Sequence, residues 1–292
     1  MGILEVPVGG QQYCNKLYPM KIVKSRFKQG MRNTLFVTLI VCVWSSCKNI
    51  KERKSQKIDE VSIEAEEETF IQIFDGKSLE GWYGDPTYWR VENGSLVGEV
   101  TPTTLLKNNT FIVWQGSEPG DFELKLDFRI AEAGNSGINY RSETIDSIPF
   151  ALRGYQADID GKIRYTGQNY EEKKRATLAY RGENVIISTQ DNPEELGSLK
   201  ANVQKNCWQS RVVVASLGES DSLKTKINFE DWNEVHLILK GNRLQHYVNG
   251  ILMSEVLDND RINRKMSGKL GMQVHVGPPM KVEYRNIRLK NL

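Results

Sequence analysis

Beyond residue 47 the chain has a single cysteine, Cys207. No disulfide can form within that part, so its fold must rest on its core. Neither sign of charge is in excess: 39 basic and 37 acidic residues leave +2. No basic stripe with interleaved aromatics occurs, which argues against nucleic acid as a partner. No apolar run reaches the roughly 20 residues that cross a bilayer. Strand–helix alternation and internal repeats are also missing, which argues against a doubly wound sheet and a solenoid.

The N-terminal region has a different character. In "MRNTLFVTLIVCVWSSC" (31–47), Arg32 precedes an apolar run from Leu35 to Trp44, and Ser45 and Ser46 stand ahead of Cys47. That order is a secretory n-region, h-region and cleavage site. A cysteine directly after two serines predicts a lipoprotein signal, with Cys47 lipidated and becoming the mature N-terminus. Residues 1–30 then precede a complete signal and are expected to be an over-long start without structure. Residues 48–68 carry a basic half and then an acidic half with almost nothing apolar, which reads as a charged, solvated tether. One domain, 69–292, follows.

In that domain the rhythm is that of strands. "DFELKLDFRI" (121–130) alternates, with Phe122, Leu124, Leu126 and Phe128 on one face. Asn93–Gly94 and Asn249–Gly250 are hairpin turns between apolar runs. "RGYQADID" (153–160) sends Tyr155, Ala157 and Ile159 one way and Gln156, Asp158 and Asp160 the other. Helical signal is sparse: a turn or two within "SDSLKTKINFEDW", capped by Ser220 or Asp221, and another at 171–175. Gly134 and Gly137 read as residues of a tight turn. These features predict an all-β antiparallel sandwich in one domain.

The blocks "FDGKSLEGW", "WRVENGSLVG", "GDFELKLDFRI", "GNSGINYR", "RGYQADID", "DWNEVHLILKGNRLQHYVNG" and "GKLGMQVHVGPPMKVEYRNIRLKNL" occur in this order across nearly all of 69–292. Together they resemble the 3-keto-disaccharide hydrolase family. The resemblance implies a concanavalin-A-like jelly-roll sandwich of two curved antiparallel sheets, with sugar held on the concave face. It also implies a lipid-anchored protein of the bacterial cell envelope, on the periplasmic or surface side, and an oxidoreductase that makes keto sugars as a functional partner. Related glucanases mount their acids in an E-x-D-x-x-E pattern on one strand. This chain lacks it, so a retaining carboxylate pair is not evident.

A 3-keto-glycoside allows other chemistry, because the C3 carbonyl makes the C2 proton acidic. A base removes that proton, the enolate is stabilised, the aglycone leaves C1 by β-elimination, and water then adds. This needs a general base, a partner for the enolate oxygen and an acid near the leaving group. His275, with Gln273 on its own strand face, and Asp158, with Gln156, are the expected catalytic and binding pairs. Arg141, Tyr170, Glu171, His246 and Trp82 are further candidates for substrate contact. Each also has a plain structural reading: an Arg141–Glu143 pair, a charged turn at 170–171, an apolar strand face for His246. Tyr88 and Trp89 are aromatics of the same region, Trp89 expected in the core. His236 is expected outside the site. A divalent metal held by His275, Asp158 and Glu171 has suitable ligand types, but no tight zinc-type spacing occurs. The alternatives are a non-catalytic carbohydrate-binding lipoprotein and an ordinary glycoside hydrolase with a carboxylate pair.

Overall fold

The computed structural model describes residues 69–189 and 205–292. The start segment, the signal with Cys47 and the tether lie outside the described residues. The chain runs through β1 (Ile71–Gln72), β2 (Trp82–Tyr83), β3 (Trp89–Glu92), β4 (Ser95–Val100), β5 (Thr110–Trp114) and β6 (Phe122–Ile130). It continues through β7 (Asn135–Thr144), β8 (Leu152–Asp160), β9 (Asn169–Glu172), β10 (Ala176–Ala179) and β11 (Glu183–Ile187). After β12 (Arg211–Ser216) comes one short helix, α1 (Ser220–Lys224), and then β13 (Asn233–Lys240), β14 (Arg243–Val248), β15 (Ile251–Asp258), β16 (Lys269–Val274) and β17 (Met280–Asn291).

These strands form two sheets, as the jelly-roll expectation requires. The ten-stranded sheet runs β12-β11-β15-β14-β13-β6-β17-β4-β3, with β1 also paired to β17. The seven-stranded sheet runs β10-β9-β8-β7-β16-β5-β2. One pair departs from the antiparallel rule: β11 lies parallel to β15, from Glu183 opposite Ser254 to Ile187 opposite Asp258. No hairpin joins these two strands, so turn geometry does not dictate their direction.

Alternation explains the core. Along β6, Phe122, Leu124, Leu126, Phe128 and Ile130 are buried, while Glu123, Lys125, Asp127 and Arg129 between them are half-buried on the other face. Its neighbours supply Val235, Leu237 and Leu239 from β13 and Val282, Tyr284, Ile287 and Leu289 from β17. The parity of β17 changes between Tyr284 and Ile287. Asn286 adopts φ +53° and the register shifts there, a bulge that keeps both apolar pairs pointing inward. The seven-stranded sheet contributes Ile138, Tyr140, Tyr155, Ala157, Ile159, Met272 and Val274 to the same core.

Three local expectations are corrected. Residues 171–175 hold no helix turn: Glu171 and Glu172 finish β9, and a turn follows. Its pairing with β8 supplies backbone partners that an isolated charged turn would lack. Helix α1 forms where expected, but its N-cap is Glu219, which makes no side-chain cap. Gly137 lies within β7, and a Cβ there would collide with the Gln156 side chain. It is small to leave room for Gln156, whereas Gly134 does close the preceding turn through its N–H to Ala131 O, 2.8 Å.

Candidate active site

Because Tyr155, Ala157 and Ile159 face the core, Gln156 and Asp158 face outward from the seven-stranded sheet. The neighbouring strands add side chains to that outer face. From β9 come Tyr170 and Glu172, from the start of β7 Asn135, and from the end of β16 His275. The loop between β8 and β9 brings Tyr165 and Gln168, and Asn206 closes the rim. They enclose a cleft of about 190 Å³. That is below the roughly 300–1,000 Å³ typical of drug-sized ligand sites, which suits a single ring.

Asp158 sits at its centre. The Gln156 Nε2 donates to Asp158 Oδ1 at 2.7 Å, and Gln168 Nε2 donates to Oδ2. Among the described residues no cation pairs with it. Burial therefore dominates and pushes its carboxyl up to about 8, with the carboxylates of Glu172 and Asp160 adding to the rise and the two amides opposing it. Glu172 is the second buried acid. Asn109 Nδ2 donates to its Oε1 at 3.0 Å, and burial raises its pKa as well. His275 is half-buried nearby, on the rim of the same cleft. Burial also raises the Tyr170 phenol, helped by Glu172 and Asp158.

Carboxamides tie the two acids together. Gln273 Nε2 donates to Gln156 Oε1 at 3.3 Å, and Gln273 also hydrogen-bonds Glu172. Asn109 accepts from the Val276 N–H at 2.9 Å, which fixes the chain beside His275. Asn139 Oδ1 and Gln273 Oε1 on this face are buried without hydrogen-bond partners. Buried acceptors of this kind call for a donor such as a hydroxyl.

The β8–β9 loop owes its shape to Asp160. Its Oδ1 accepts from the N–H groups of Tyr165 (2.7 Å) and Thr166 (3.0 Å), and its Oδ2 from Arg164 (3.0 Å). Asp160, read in sequence on the polar face of its strand, thus positions Tyr165 and Gln168 rather than lining the cleft.

The structure brings Asp158, Gln156, Gln273, Tyr170 and His275 together and separates the other candidates from them. Glu171 points into the interior, fully buried, where it pairs with Arg175. Strand parity sends Tyr170 and Glu172 out and Glu171 in, so the acid expected at 171 is supplied by 172. His246 is buried between the sheets. Its Nδ1 donates to the Gln168 carbonyl at 3.3 Å and its Nε2 accepts from Tyr140 Oη at 2.8 Å. Burial lowers its pKa to about 4, so it is neutral there. Arg141 bulges out of register with φ +45°, and its guanidinium is consumed by Gly120 O, Gly241 O (2.7 Å) and Asp121. The pairing expected for it with Glu143 goes to Arg153 instead, at 2.6 Å. Trp82 is core, its Nε1 donating to Ile73 O at 2.9 Å. Trp89 is buried as expected, Tyr88 is packed at the core's edge, and His236 pairs with Glu123 at 2.7 Å away from the cleft.

The proposed metal set is not assembled, since Glu171 faces away from Asp158 and His275. Among the described residues no group of three His, Cys, Asp or Glu side chains converges to hold an ion.

Sequence reasoning missed Glu172, Gln168, Asn109, Asn135, Tyr165 and Asn206. Glu172 was accessible to it: a strand at 169–172 puts 170 and 172 on one face. Gln168, Asn109 and Asn206 arrive on loops, where no periodicity reports direction.

The class is thus a two-sheet jelly-roll protein with a polar, acid-bearing cleft on the outer face of one sheet. Residues 69–290 match the 3-keto-alpha-glucoside-1,2-lyase-like domain, and the chain belongs to that family. It is similar to a 3-keto-disaccharide hydrolase of Bacteroides thetaiotaomicron, 29% identical over 117 residues, which covers 33% of this chain and 36% of the relative. That alignment spans about a third of the relative's length. Among solved structures, it is similar to a carbohydrate binding module from Bacillus subtilis, 15% identical, covering 72% of this chain and 96% of the other at a TM-score of 0.44. A Bacillus subtilis protein with a galectin-like fold is 11% identical, covering 76% and 98% at a TM-score of 0.47.

Proposed function

We propose that this protein cleaves glycosides already oxidised at C3, by elimination across C1–C2 followed by hydration. The observation that carries this reading is the cation-free Asp158 carboxyl, held between two carboxamides and pushed up to about 8, beside a second raised acid and a histidine. A carboxyl with that pKa keeps its proton at pH 7 and can deliver it to a leaving oxygen. Glu172 and His275 are the groups available to take the C2 proton. In the balanced sequence the C2–H bond breaks and its electron pair forms the C2=C3 enolate. The C1–O bond then breaks as C1=C2 forms and the C3 carbonyl returns, a proton passing from Asp158 to the aglycone oxygen, and water adds across the new double bond.

The presence of two acids favours a second reading, direct hydrolysis of an unoxidised glycoside by the Asp158–Glu172 pair. One assay separates them. The protein is offered matched 3-keto-glucoside and glucoside, and released aglycone is measured. Elimination predicts release from the keto substrate alone; equal release from both removes it. The same reading sets the domain in a bacterial cell envelope, anchored through a lipid on Cys47 by the 48–68 tether. It would then be supplied by an oxidoreductase acting on sugar C3. Metabolic labelling with a fatty acid, lost in Cys47→Ser, tests the anchor.

A further inference from the structure

We propose that Asn109 is a positioning residue that gives Glu172 and His275 different tasks: it holds Glu172 in place and sets His275 Nε2 as the acceptor of the C2 proton. The assignment rests on the keto-glycoside reading above and decides which of its two available groups is the base.

Asn109 is buried, and both ends of its amide are used. The Val276 N–H can only donate, so Oδ1 faces it at 2.9 Å, and Nδ2 faces Glu172 Oε1 at 3.0 Å. A carboxamide fits both partners. A carboxylate at 109 would stand against Glu172, and an apolar side chain would serve neither.

The tie sits where the sheet stops. The β16–β5 ladder ends with Val274 opposite Thr110. His275 and Val276 lie beyond it, at the start of the loop to β17, and Asn109 immediately precedes β5. The Asn109–Val276 bond therefore carries the pairing past the ladder, to the point where His275 lines the cleft.

Val276 in turn orients the ring. Its carbonyl lies 2.6 Å from His275 Nδ1. A carbonyl only accepts, so Nδ1 carries the hydrogen, and in the neutral imidazole the lone pair is on Nε2. Among the described residues Nε2 has no hydrogen-bond partner. Glu172 differs: it is buried and hydrogen-bonded by both Asn109 and Gln273. Two amide donors stabilise its charged form and occupy lone pairs that a base needs.

The proton count closes. As C2–H breaks, its electron pair forms the C2=C3 enolate and the proton goes to Nε2. The imidazolium keeps its Nδ1–H on the Val276 carbonyl, a bond that strengthens when the ring is charged. When water adds, its hydroxyl joins C1, its proton goes to the Asp158 carboxylate, and Nε2 returns its proton to C2. Every group ends as it began.

The test follows hydrogen at C2 directly. A 3-keto sugar with no leaving group at C1 is incubated with the purified protein in deuterium oxide, and exchange at C2 is read by NMR. His275→Ala is expected to slow exchange about 100-fold, with added imidazole restoring part of it, and Glu172→Gln to slow it by no more than about tenfold. Asn109→Leu removes both bonds. It is expected to slow exchange about tenfold, through kcat rather than KM, and to cost His275 the Nδ1–H form that its ring-nitrogen chemical shifts report in the parent. A loss in Glu172→Gln as large as that in His275→Ala, or no rescue by imidazole, overturns the base. An Asn109→Leu protein with His275 still in the Nδ1–H form overturns the positioning role. Exchange by the parent without aglycone release from a 3-keto-glucoside keeps the base and removes the cleavage reading; a parent that neither exchanges nor releases removes both.

Discussion

Gln156 and Asp158, two residues apart on one strand face, are locked together at 2.7 Å by an amide rather than by a cation. A carboxyl buried in this way is costly to ionise, as the proton-donor role proposed for Asp158 requires.

Removing that acid should separate activity from stability. Asp158→Asn is expected to lower release from a 3-keto-glucoside by about 100-fold or more. The same change should stabilise the fold at pH 8. Asp158 titrates near 3.9 when unfolded and at about 8 when folded, so the stability it confers is full below about pH 4 and is lost as pH rises toward 8. Asparagine removes that loss. Thermal melts at pH 5 and pH 8 check it, with roughly 2–4 °C gained at pH 8 for each kcal/mol recovered.

The pH–rate profile should report the same group. With Asp158 as proton donor, kcat falls as pH passes about 8. A profile still rising at pH 9 would contradict that role. His275→Ala should reduce the rate by about 100-fold if it takes the C2 proton, and leave it nearly intact if Glu172 does.

Gly137→Ala tests the cleft floor without touching an acid. The added methyl meets the buried Gln156 side chain from Cγ to Nε2, so Gln156 is pushed off Asp158. Activity is expected to drop about tenfold or more, at an overpacking cost of about 1–3 kcal/mol in a denaturant melt.

Beneath the cleft, Arg175 serves three buried carboxylates, Glu171, Asp258 (2.6 Å) and Asp260 (3.3 Å). Arg175→Met leaves Asp258 and Asp260 without a cation, and Glu171 with Lys174 alone at 3.2 Å, and should cost about 3–5 kcal/mol. Denaturant unfolding measures it. A variant as stable as the parent would show that the carboxylates take up protons or water at little cost.

Much of this was readable before any coordinates. The 153–160 alternation gave the facing of Gln156 and Asp158, because a strand's period of two leaves no other arrangement once Tyr155 and Ile159 are buried. The same rule, applied to 169–172, would have exchanged Glu171 for Glu172; a charged stretch with no apolar partners hid the strand. Arg141 and His246 were misplaced for a different reason. Their type suits a site, yet a bulge turns one onto the Gly120 and Gly241 carbonyls and a polar pair, Tyr140 and Asn169, keeps the other inside. Bulges and buried polar partners are long-range events that local pattern does not encode.

The carboxamide chain from Gln168 through Asp158 and Gln156 to Gln273 has an operational consequence. Mobile ions weaken attraction between exposed charges and leave neutral dipoles at contact distance nearly untouched. A cleft tuned by glutamines should therefore keep its acid strength in fresh water and in brine alike, responding to the acidity of its surroundings and hardly at all to their salinity.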